Sequence, residues 1–280
     1  MKFNLMLIAG AFLPVLADED PTTKARTLLQ EGVVHKNHDV RRQAALALSL
    51  APHREATLDL LKPLLKDHEP KVRAAAITTV GELKIPGSAE LLHESLTDHI
   101  PEVAFEAAKA LYALKDQMGR DTLQSVLSGQ VKVKSNPITA EAREMLSRLK
   151  TPKGILWFAL TTGVGYAPVP GLGEGMFAMQ LLMQEPELSG RASAVLLLAR
   201  DTDDSTKDAI LDVLDDKDWT VRAAGVQALA IRHDASVRHR LPALFDDKHE
   251  QVRYRAAAAY LRLDLLANRP VGGRKKAGRS

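Results

Sequence analysis

Asp216–Ala230 reads DKDWTVRAAGVQALA and Asp247–Leu261 reads DKHEQVRYRAAAAYL. Aligning Val221 with Val252 and Arg222 with Arg253 sets an offset of 31 residues. One further step back reaches Gly190 and Arg191, which open a third copy, GRASAVLLLAR. The N-terminal half repeats the phrase at Asp67–Leu83 and Asp98–Leu114, and more loosely at Asp39–Leu50. Self-similarity at this period marks a stacked-repeat architecture, in which each unit buries its apolar face only against its neighbours.

Working outward from the phrase, Glu55–Lys66 places Leu58, Leu61, Leu64 and Leu65 on one helical face. Asp67–Pro70 then breaks the helix before the next begins. Each unit is therefore a helix, a short polar turn and a second helix, and the fold class is all-α. Ala74–Ala76 and Ala256–Ala259 let neighbouring helices approach closely. Asp67, Asp98, Asp216 and Asp247 each precede the Val of the phrase by five residues, where a carboxylate can cap the second helix. Arg73, Arg222 and Arg253 follow that Val directly. The simplest use of such Asp and Arg is a structural ladder of charge-assisted hydrogen bonds between neighbouring turns: Asp67, Arg73, Asp216, Arg222, Asp247 and Arg253. Stacking in sequence order is expected, with Leu29, Val33 and Val34 covering the first seam and Leu263, Leu265 and Leu266 the last.

The pattern D-x-x-x-x-V-R-x-x-A-x-x-A-L resembles the HEAT repeat, and its short period is similar to that of bilin-lyase-type members. The resemblance implies a curved α-solenoid acting as a scaffold or binding surface, with the second helix of each pair towards the concave side. It spans about residues 22–265 apart from one insertion. Val103 and Gly190, equivalent positions, lie 87 residues apart, two periods plus 25. Part of the excess is a stretch unlike the rest, Gly154–Met183 (GILWFALTTGVGYAPVPGLGEGMFAMQLLM). It holds six of the 17 glycines, and its prolines exclude one continuous spanning helix. It reads as an apolar Gly/Pro-rich helical hairpin inserted in the solenoid. Trp157, Phe158, Tyr166, Pro168, Pro170, Leu172 and Phe177 are its candidate interaction residues, against the simpler alternative that the hairpin packs as core.

The organisation expected is a signal peptide at 1–17, N-terminal repeats at 18–150, the hairpin insertion at 151–188, C-terminal repeats at 189–266 and a basic tail at 267–280. Lys2, the apolar stretch Phe3–Leu13 and the small-residue pattern Val15-Leu16-Ala17 have the form of a cleavable export signal. Together with the absence of Asn-x-Ser/Thr, this points to a bacterial periplasmic or secreted protein. Basic and acidic residues number 38 and 35, so nucleic acid is not an expected partner. With no cysteine, thiol catalysis and zinc-thiolate sites are excluded.

His68-Glu69, His93-Glu94 and His249-Glu250 are the pairs to test for a metal, because the HEAT-type enzyme deoxyhypusine hydroxylase holds two irons through such pairs. In that family the pair follows the Arg, where this chain has Ala74-Ala75 and Ala223-Ala224. The three pairs also fall in two different settings, so no metal, cofactor or catalytic residue is assigned. The reading is a non-enzymatic monomeric scaffold for an unidentified protein, using the second-helix face and the hairpin. The alternatives are an enzyme or enzyme accessory with a pocket lined by the hairpin, and a membrane-surface adaptor. In the latter, the tail residues Arg274, Lys275, Lys276 and Arg279 would make a weak contact with anionic lipid.

Overall fold

The structure, a computed structural model, describes residues 19–127 and 188–268. Those residues form helices and turns, with no strand among them. In chain order the α-helices are α1 (Pro21–Val33), α2 (His38–Ala47), α3 (Glu55–Leu61), α4 (Pro70–Leu83), α5 (Pro101–Ala113), α6 (Gln117–Leu127), α7 (Gly190–Leu197), α8 (Asp204–Asp212), α9 (Trp219–Arg232) and α10 (Glu250–Ala267). Proline opens α1, α4 and α5, where its missing N–H costs nothing. Several starts are also capped, as where Asp20 accepts the Thr23 amide at 3.1 Å and Asp218 the Thr220 amide at 2.8 Å. The first member of a pair is often a tighter 3-10 helix, as at Ser88–Leu92 with Glu94–Thr97 and at Ala235–Leu244, which contains Pro242.

The second helices form the centre of the stack. In α9 every residue from Thr220 to Ile231 is buried, more than three turns, so no face of that segment is open. In α10 the four alanines Ala256–Ala259 are fully buried. Small side chains set the spacing: a Cβ on Gly225 would stand 2.9 Å from Val213 Cγ2, and one on Gly81 2.8 Å from Ala110 Cβ. Within this core Thr79 Oγ1 donates across the repeat boundary to Ala45 O at 3.0 Å.

The stacking order differs from the order of the sequence. Helix α7 packs on α9, α9 on α10, α10 on both α1 and α2, α2 on α4, α4 on α5, and α5 on α6. The last described helix thus lies against the first pair, and the described residues of the two halves form one array whose packing order runs from residues 190–212 to 101–127. Leu29 and Val33 bury their side chains, as does Leu263, but at this internal joint and not as caps on free ends. Val34 is 74% exposed and covers nothing. Physically, the stripe on α1 needs an apolar partner, and a chain long enough to bring its own last repeat there closes that surface better than solvent does.

Candidate binding surfaces

The repeated Asp and Arg meet across repeat boundaries. Arg41 donates from Nε to Asp67 Oδ2 at 2.7 Å and from Nη2 to Oδ1 at 2.8 Å. Arg73 grips Asp98 in the same two-pronged way at 2.7 and 2.8 Å, and Arg222 grips Asp247 at 2.6 and 2.8 Å. Each arginine's Nη1 also donates to the carbonyl six residues before it: His35 O, Asp67 O and Asp216 O. A guanidinium thus ties its own turn to the carboxylate of the next repeat, using most of its planar donor set. None of these six side chains is more than 10% exposed. The Asp216 carboxylate is taken by Arg191 at 2.5 Å, and that arginine, near one end of the packing order, is largely exposed.

The aspartates do not cap the second helices as the sequence suggests. Asp67 Oδ1 accepts the Glu69 amide at 2.9 Å, Asp98 Oδ1 the Ile100 amide at 2.8 Å and Asp247 Oδ1 the His249 amide at 2.8 Å, each closing a turn two residues long just before the helix. Asp has the reach for this side-chain turn, and its Oδ1 accepts the turn amide together with the arginine Nη2 while Oδ2 takes Nε alone. Burial pushes the Asp67 carboxyl up, but the Arg41 hydrogen bonds and the Glu69 amide outweigh it and hold the group below its ordinary range. Asp247 behaves alike: burial raises it, while Arg222 and the His249 amide bring it down further than burial lifts it.

Arg253 departs from this pattern. Its Nη1 donates to Asp247 O at 2.6 Å as its counterparts do, yet it forms no ion pair among the described residues and lies 6.0 Å from the Tyr254 ring centroid. The next unit in the stack is α1 and α2, whose turn carries His35 where the others carry Asp. His35 Nδ1 accepts the Asn37 amide at 3.1 Å, and its carbonyl receives Arg41, so His35 reproduces the turn without offering a carboxylate.

The histidine–glutamate pairs do not converge. His93 Nε2 lies 3.1 Å from Asp116, His249 stacks on Trp219 with ring centroids 5.4 Å apart, and His68 Nε2 sits 3.4 Å from Arg41 Nη2. Among the described residues no group of three or more His, Asp or Glu could hold a metal ion. No helix among them is long and apolar enough to cross a membrane.

Among the described residues, two kinds of open surface are present. Large apolar side chains are exposed near the two ends of the packing order: Tyr112, Met118 and Leu127 at one, Leu197 and Leu198 at the other. A broad groove of about 700 Å³ runs between the turns of neighbouring repeats, bordered by Lys62, His68, Glu94 and His99 with Leu65 and Leu91 in its wall. The second-helix face expected to bind a partner is closed along α9 and the alanine run of α10. Trp157, Phe158, Tyr166, Pro168, Pro170, Leu172 and Phe177 lie outside the described residues, as do the signal sequence and the basic tail.

The geometry is that of a HEAT-type helical repeat, and a family model for HEAT repeats matches residues 57–147 and 176–262, more than half of the chain. The chain belongs to the HEAT-repeat family. Among solved structures it is similar to human deoxyhypusine hydroxylase in complex with glycerol, at 15% identity over 87% of this chain and 98% of that one, with a TM-score of 0.33. It is also similar to an engineered protein at 16% identity, over 87% of this chain and 97% of that one, with a TM-score of 0.27. No curated protein matches it.

Proposed function

We propose that this helical-repeat protein is an exported, non-enzymatic scaffold that binds another protein. The observation that supports this reading is the use made of the repeated charges. Arg41, Arg73 and Arg222 spend their guanidinium groups on Asp67, Asp98 and Asp247 and on main-chain carbonyls, so the most regular polar constellation in the chain holds repeats together. Exposed Leu197 and Leu198, and Tyr112, Met118 and Leu127, are the surfaces on which a partner gains most from burial. Leu197→Asp and Tyr112→Asp variants, purified from residue 18 onward, test the reading. At least one is expected to lose a stoichiometric partner retained by the parent chain in a periplasmic extract, with helicity unchanged. Substrate turnover by the purified chain alone would overturn the non-enzymatic assignment. Capture unaffected by either substitution would remove these ends as the binding surface.

A further inference from the structure

A cavity of about 310 Å³ opens at the joint where α10 meets the first repeat. Its walls are mainly aliphatic: Leu29 of α1, Leu48 at the end of α2, Leu60 of α3, and Leu261 and Leu265 of α10. That volume is at the lower end of the ~300–1,000 Å³ typical of small-molecule sites. The site exists only through the non-sequential stacking, because its walls come from the first 60 residues and from the last described helix. An apolar recess of this kind offers water few hydrogen-bond partners and leaves its lining short of dispersion contacts, so an apolar body entering it gains on both counts.

Charge at the rim selects among apolar ligands. Arg26 and Arg54 both border the cavity, both are exposed, and neither has an ion-pair partner among the described residues. The one carboxylate in the lining, Asp264, is already held by Arg238 at 3.3 Å. Among the described residues, the rim therefore carries two guanidinium groups outside any ion pair and one acid paired with Arg238. Guanidinium is suited to a carboxylate head group, which it can meet with paired N–H donors, and a cationic head group meets repulsion there.

We infer that this cavity is a binding site for a small anionic amphiphile, of the class of medium-chain carboxylic acids, with its tail among Leu48, Leu60 and Leu265 and its head group at Arg26 and Arg54. Such a ligand touches α1, α3 and α10 together, so it braces the joint and stabilises the folded array by mass action. The inference does not depend on a protein partner.

Calorimetric titration of the full mature chain with decanoate below its micellar concentration tests it, with decanol and decyltrimethylammonium as controls. Decanoate should bind at one site and raise the melting temperature, with both controls weaker by about tenfold or more. Arg26→Gln combined with Arg54→Gln should weaken decanoate by about tenfold and leave decanol unchanged. Ala56→Trp, which adds bulk at an exposed rim position, should abolish binding of decanoate without altering the melting of the free protein. No decanoate binding, equal binding of the cationic amphiphile, or decanoate affinity that survives either variant overturns the assignment.

Discussion

Among the described residues, boundaries between neighbouring repeats within a half and the joint between the halves are held differently. Three boundaries within the halves carry a buried two-pronged Arg–Asp pair, Arg41 with Asp67, Arg73 with Asp98 and Arg222 with Asp247, while Asp216 is met by the exposed Arg191 and Asp116 by His93. At the joint between the halves that pair is missing, since His35 occupies the aspartate position and Arg253 lies against Tyr254. Packing and scattered contacts take its place. Gly32 lets Tyr254 approach so closely that a Cβ would stand 2.7 Å from the ring, Lys24 reaches Asp246 at 2.6 Å, and Arg262 lies 3.3 Å from His53 Nε2. Three boundaries between adjacent repeats are thus joined by a repeated, geometrically fixed rung, while distant parts of the chain are joined by shape.

The sharpest way to break this comparison is to remove an arginine from each kind of boundary. Arg222→Ala leaves the buried Asp247 carboxylate unpaired and is expected to cost about 3–5 kcal/mol in urea unfolding. Arg253→Ala, which leaves no carboxylate behind, should cost under about 1 kcal/mol. Equal losses would show that the missing carboxylate makes no energetic difference. At the joint itself, Gly32→Ala forces its new methyl into Tyr254 and Ala44 and should destabilise by about 1–3 kcal/mol. Pairing it with Tyr254→Leu should recover part of that loss. Full additivity in the double variant would mean the two residues do not act through this contact.

The comparison can also be sharpened by building the absent rung. His35→Asp retains a side chain able to close the turn and adds a carboxylate facing the Arg253 position. It is expected to stabilise the protein by about 1 kcal/mol, and the gain should vanish in an Arg253→Gln background. A separate effect concerns acid. Lys207, followed by the Ser236 hydroxyl, holds the Asp234 carboxyl down to about 2 from an ordinary 3.8. A depressed carboxylate contributes its full stability above the unfolded value and loses it as pH falls through the folded one. Asp234→Asn should therefore be less stable than the parent at neutral pH and converge with it as pH falls from about 4 to about 2. A constant gap between the two across that range would rule out the linkage.

Much of this was legible in the sequence, and the residues show why. The 31-residue offset between Arg222 and Arg253 specifies the repeating unit, and the alanine runs and apolar stripes specify helices that pack closely. Even the odd rung could be read: His35 stands five residues before Val40, as Asp67 does before Val72. Spacing alone also offered an aspartate and an arginine from one phrase as natural neighbours. The structure instead sends Arg222 to the carboxylate 25 residues ahead and only to the carbonyl of Asp216. That choice follows from which turn faces which once the units are stacked.

The sequence by itself determined the unit: its helix boundaries, its buried stripe and the side chains able to link one copy to the next. Those are local properties, set by spacing and side-chain chemistry. Only the tertiary structure decided that the last helix packs on the first and that a cavity opens where Leu29 and Leu265 meet. The physical reason is that every repeat offers much the same apolar face, so periodicity states that each face must be covered but not by which copy. The choice is made by the complementarity of particular pairs, Tyr254 on Gly32 among them, across more than 200 residues of intervening chain.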